Sequence, residues 1–114
     1  MFKLTVFSFA VAAVLGATMA IRYFAQKGIS LPLALVHGFF AAAGLVMLIA
    51  AGMQASFPGH TMLALGLFLA TAAGGFLLFA RHLLKLPALP ALIIIHGSAA
   101  VVSFLVLLVS VFSL

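Results

Sequence analysis

The sequence predicts an all-α, four-helix transmembrane bundle made of two tandem two-helix hairpins. Three observations carry this reading. The chain of 114 residues is 68% hydrophobic and 4% charged, with a mean hydropathy of +1.53. That leaves too little polar surface to cover a water-soluble globule. Four apolar stretches each approach the roughly 20 residues a membrane span needs, with short connections between them. The second half also repeats the first. Arg22 precedes His37 by fifteen residues and Arg81 precedes His96 by fifteen, and each histidine is followed by glycine and, at i+4, by alanine.

The first expected helix covers about residues 4–25 and ends in the polar cluster Gln26-Lys27-Gly28. Its start, Met1-Phe2-Lys3 before an apolar run that ends in Ala17-Thr18-Met19-Ala20, resembles a signal peptide. The counterpart of this segment downstream favours a retained helix instead. The second helix is expected over about residues 31–52, with Pro32 in a first turn where its missing N–H costs little. Ser56-Phe57-Pro58-Gly59-His60 is turn chemistry. The third helix covers about 61–83. Leu86-Pro87-Ala88-Leu89-Pro90 punctuates the next connection, and the fourth helix covers about 91–112. Connections this short make neighbouring helices antiparallel.

The chain reads as one integral membrane domain, residues 1–114, with repeat 1 over about residues 1–55 and repeat 2 over about 60–114. Shifted by 59 residues against itself, it matches at ten positions, among them Gly16 with Gly75, Arg22 with Arg81, His37 with His96 and Gly38 with Gly97. A duplicated hairpin in one orientation predicts a pseudo-twofold axis along the membrane normal. Arg22, Lys27, Arg81 and Lys85 flank the first and third connections, and only Lys3 lies on the opposite side. The positive-inside rule then puts those connections in the cytoplasm of a bacterial inner membrane, with both termini outside.

The absent residues exclude whole classes of chemistry. Without Asp, Glu or Cys there is no carboxylate acid–base pair, no oxygen cage for calcium or magnesium, and no thiolate ligand or nucleophile. No Gly-rich phosphate loop is present. Five dispersed cations form no basic face for nucleic acid, and a bilayer with anionic lipids is the simpler partner. The chain alone is therefore not expected to be an enzyme.

What remains is the histidine–arginine register. An ionisable residue inside a bilayer is costly, so the same two types placed twice at one spacing mark a candidate site. His37 and His96 each lie about six residues, or roughly 9 Å, inside their helices from the same surface. Their i, i+4, i+7 stripes read His37, Ala41, Gly44 and His96, Ala100, Ser103, small enough for close packing or for a flat ligand. Two facing neutral imidazoles suit a six-coordinate iron, and an arginine fork suits a carboxylate. Haem b between His37 and His96 is the sharp expectation. The two histidines would be the metal's axial ligands and Arg22 and Arg81 the propionate partners. Gly38 and Gly97 would clear space for the ring beside Ala41 and Ala100.

On these residues the chain resembles, in outline, the b-type cytochrome subunits of respiratory complexes, such as the cytochrome b561 group and the membrane anchors of succinate dehydrogenase. The resemblance rests on His37, His96 and their neighbours, and it implies electron transfer, haem and often a quinone site. Proteins of the b561 group carry more histidine ligands. Here His60 and His82 lie at opposite membrane surfaces and form no second pair. The chain is also similar to small four-helix bacterial membrane proteins with a His-Gly step early in helices 2 and 4, a likeness that carries no function.

The functional expectation is a small accessory subunit of a larger membrane complex, in contact with other subunits or with copies of itself. Competing readings stand beside it. Intramembrane histidines can simply hydrogen-bond across helices, each worth about 0.6–2 kcal/mol, in a cofactor-free subunit that packs against a partner and binds lipid. Arginine near a helix end ordinarily snorkels to the headgroups. A quinone, or a chlorophyll-type pigment with one axial histidine, is the remaining ligand class.

Overall fold

The computed structural model describes residues 1–112 and consists of four helices with no strand among them. The helices are α1 (Phe2–Phe24), α2 (Leu31–Gln54), α3 (Thr61–Leu83) and α4 (Pro90–Phe112). At 1.5 Å per residue each is about 35 Å long, enough to cross roughly 30 Å of hydrocarbon. All four qualify by length and composition as membrane spans, and the bundle measures 42 × 22 × 19 Å.

The helix ends follow local chemistry. The α1 helix begins two residues before its apolar run, because the Thr5 amide and hydroxyl both donate to the Met1 carbonyl and close the first turn. Ser30 caps α2 by accepting the Leu33 amide, with Pro32 in the first turn. Pro90 itself starts α4. Helices α1 and α3 end alike. Gln26 (φ 63°) and Lys85 (φ 57°) take the left-handed conformation. The next amide then reaches back to an arginine carbonyl, Lys27 to Arg22 and Leu86 to Arg81. This six-to-one closure satisfies carbonyls that the helix end leaves open. Helix α2 runs two residues beyond its expected end and closes the same way through Ser56 and the Phe57 amide on Gly52.

Each helix packs most extensively on its hairpin partner, α1 on α2 and α3 on α4. The α1–α4 and α2–α3 contacts are thinner, and the diagonal helices do not meet through their backbones. The interior is narrow. Leu48 and Leu107 are fully buried, and the rings of Phe9 and Phe68 stack across the α1–α3 diagonal at 3.8 Å and 3°. Gly44 makes room for the Phe9 ring, since a Cβ there would lie 2.9 Å from it. At the equivalent place in α4, Ser103 is buried and shares a 3.3 Å hydrogen bond with Thr71. Residues 59 apart thus share surroundings: Phe9 with Phe68, Leu48 with Leu107, Ala12 with Thr71.

The outer faces are as apolar as the interior. Phe7, Val14, Val46, Phe76 and Ile95 are all exposed, and a helix hydrophobic all round is a membrane helix. Lipid replaces water as the alternative environment, so core truncation costs packing and little transfer energy. Leu48→Ala and Leu107→Ala should each lower stability in detergent by roughly 1–3 kcal/mol, below the 2–5 kcal/mol range for water-soluble cores. Val46→Ala should stay within about 0.5 kcal/mol. Denaturant titration followed by circular dichroism measures all three.

Candidate functional site

The interior faces of α2 and α4 are the stripes that begin at the histidines. From His37 the face continues through half-buried Ala41 to buried Gly44 and Leu48. From His96 it continues through half-buried Ala100 to buried Ser103 and Leu107. Both histidines are the seventh residue of their helix and lie about 9 Å from the end that carries the first and third connections. Although α2 and α4 are diagonal, their imidazoles meet in the bundle, with ring centres 6.3 Å apart and planes at 83°.

Each imidazole is also tied to its hairpin partner. His37 Nδ1 lies 2.7 Å from the Ala12 carbonyl oxygen of α1, and His96 Nδ1 lies 2.9 Å from that of Thr71 in α3. A carbonyl only accepts, so Nδ1 carries the proton in both rings. For the neutral imidazole, Nε2 then keeps its lone pair. The approach depends on glycine. A Cβ on Gly16 would fall 2.9 Å from His37 Cε1, and one on Gly75 would fall 3.0 Å from His96 Cε1. Gly16 and Gly75 lie one turn beyond the accepting carbonyls, so the missing side chain is the one that would have blocked the ring.

Gly38 and Gly97 lie elsewhere. Both are exposed on the outer faces of α2 and α4, with open space where a Cβ would project. One residue is a 100° step round a helix, so a neighbour of an inward histidine turns towards lipid. The glycines that touch the imidazoles are Gly16 and Gly75, residues that the sequence marks only by their shared register.

The arginines differ from each other. Arg81 Nε and Nη2 donate to the Pro87 carbonyl at 3.1 and 2.7 Å, folding the side chain onto its own connection. Arg22 lines a groove between α1 and α2 that opens outward, and its Nε is buried without a partner among the described residues. Neither hydrogen-bonds a histidine. His82 adjoins Arg81 in the last turn of α3, and His60 is exposed in the turn before α3. Among the described residues no third metal-ligating side chain joins the histidine pair.

The class defined by this geometry is an integral four-helix membrane protein with two carbonyl-anchored imidazoles paired in its interior. Comparison with family models, with curated proteins and with solved structures finds no match for this chain.

The anchored tautomer can be measured directly. In ¹⁵N spectra of histidine-labelled protein, His37 and His96 should each show a protonated Nδ1 and a bare Nε2. Gly16→Leu should remove that signature from His37 and leave His96 unchanged, with circular dichroism confirming a helical fold. Protonated Nε2 in either wild-type ring would contradict the anchor.

Proposed function

We propose that this chain is a small integral membrane subunit that holds haem b between His37 and His96 and takes part in electron transfer within a larger membrane complex. One observation carries the reading: two anchored imidazoles with ring centres 6.3 Å apart. Imidazoles bound at about 2.0–2.1 Å on opposite sides of one metal have ring centres roughly 6 Å apart. A histidine that ligates through Nε2 ordinarily gives its Nδ1–H to a carbonyl, which fixes its tautomer and orientation. Donor type and centre-to-centre spacing therefore support the reading.

When bound, the haem would supply one-electron redox chemistry. The chain's own contribution is to hold and insulate. His37 and His96 would hold the iron through Nε2. The Ala12 and Thr71 carbonyls keep both rings in the ligating tautomer, and Gly16 and Gly75 set their depth. The apolar interior towards Phe9 and Phe68 keeps water out. Arg22 and Arg81 lie towards the same surface, and Arg81 would have to leave Pro87 to reach a propionate. The connections are too short to build a soluble catalytic surface, which favours a subunit role over an independent enzyme.

A second reading has its own support. Each imidazole is hydrogen-bonded to a backbone carbonyl and fitted to a glycine of its hairpin partner, which is all that an interhelical fastener requires. In that reading the chain is a cofactor-free subunit of a membrane assembly.

Absorption spectra of gently solubilised protein, expressed with haem supplied, separate the two. Haem ligation predicts a sharpened α-band and a shifted Soret band on dithionite reduction, both abolished by His37→Ala and by His96→Ala. A flat visible spectrum would overturn haem binding and leave the fastener. A spectrum unmoved by reductant would instead assign a chlorophyll-type pigment.

A further inference from the structure

We propose that the outward groove between α1 and the start of α2 binds one anionic phospholipid. Its phosphate would rest on Arg22, and an acyl chain would lie along Leu15, Leu33 and Val36. This site is separate from the histidine pair and stands whether or not that pair binds haem.

Arg22 needs an acceptor. Its Nε is buried without a partner among the described residues. Its accessible Nη nitrogens, which make no hydrogen bond there either, are the donors a ligand in the groove can meet. An unpaired charged donor near the apolar span is costly. The chain has no Asp or Glu, so no side chain of its own can supply the counter-charge. The repeat sets Arg22 apart from its counterpart. Arg81, at the equivalent position, is satisfied twice over by the Pro87 carbonyl. The residue equivalent to Pro87 in the first half is Gly28, and no bond from Arg22 reaches it.

The walls of the groove identify the ligand class. Beside Arg22 stands Ser30, whose hydroxyl oxygen accepts the Leu33 amide and leaves its own O–H free to donate. Together the guanidinium fork and this hydroxyl suit a phosphate. The other wall is apolar, formed by Leu15, Leu33 and Val36, and extends from the helix end into the span. Arg22 lies in the last turn of α1, with Lys27 just beyond, a position suited to the headgroup layer. A free phosphate would use only the polar half of this groove. A phospholipid fills both halves, and the positive charge favours an anionic headgroup over a zwitterionic one.

The test uses the full chain in detergent, titrated with short-chain phosphatidylglycerol, with phosphatidylcholine of the same chain length, and with inorganic phosphate. Native mass spectrometry gives the stoichiometry. Phosphatidylglycerol should bind once per chain and at least tenfold more tightly than phosphatidylcholine. Arg22→Gln should weaken it about tenfold, the scale of one lost charge-assisted contact. Arg81→Gln should stay within twofold. Val36→Trp fills the apolar half while Arg22 remains, and it should weaken binding comparably, so the outcome does not depend on Arg22→Gln folding. Equal affinity for the two lipids, or equal loss from Arg22→Gln and Arg81→Gln, would overturn the site. Displacement by inorganic phosphate, with Val36→Trp silent, would assign a free anion and overturn the lipid.

Discussion

The rest of the structure depends on where a histidine ring can place its N–H in a lipid-embedded bundle. Water is absent there, helix backbones satisfy themselves, and this chain has no carboxylate to offer. The available acceptor is a carbonyl of the neighbouring helix, whose second lone pair the helix leaves unused. Reaching it requires the side chain one turn on to be missing. Gly16 and Gly75 meet that requirement, and Ala12 and Thr71 supply the carbonyls. The bond sets how closely α1 and α2 approach, and likewise α3 and α4. At about 0.6–2 kcal/mol each, such bonds contribute modestly to stability and mainly to position.

A second fixed point lies towards the other end of the bundle. Phe9 and Phe68 stack across the α1–α3 diagonal, as His37 and His96 meet across the α2–α4 diagonal. One diagonal is therefore closed by aromatic packing and the other by imidazoles. In a bundle whose outer surface is as apolar as its core, these pairs and the small residues around them specify the packing, because burial of apolar area does not. The arginines break the equivalence of the two halves. Arg81 closes on its own connection, whereas Arg22 opens to a groove.

Much of this was legible in the residues. Hydropathy located four spans to within two residues at each end, since a membrane helix is chiefly a length of apolar chain. The i, i+4, i+7 stripes from His37 and His96 identified the interior faces, because small residues recur there at helical spacing. The glycines were harder. Gly38 and Gly97 adjoin the histidines in sequence, but a 100° step turns them outward. Gly16 and Gly75 touch the rings from other helices and share only the 59-residue register. The acceptors at Ala12 and Thr71 were invisible because a backbone carbonyl has no residue code. The different fates of the arginines depend on the path of each connection, where Pro87 presents a carbonyl that Gly28 does not.

The central claim is that the two anchored imidazoles can share one iron. Electron paramagnetic resonance of the oxidised, haem-loaded protein tests it most directly, because the signal reports both the ligand pair and the angle between its rings. Near-perpendicular rings, at 83° here, predict a strongly anisotropic low-spin ferric signal that both His37→Ala and His96→Ala convert or remove. A high-spin ferric signal, or a low-spin signal that survives either substitution, would contradict the pairing.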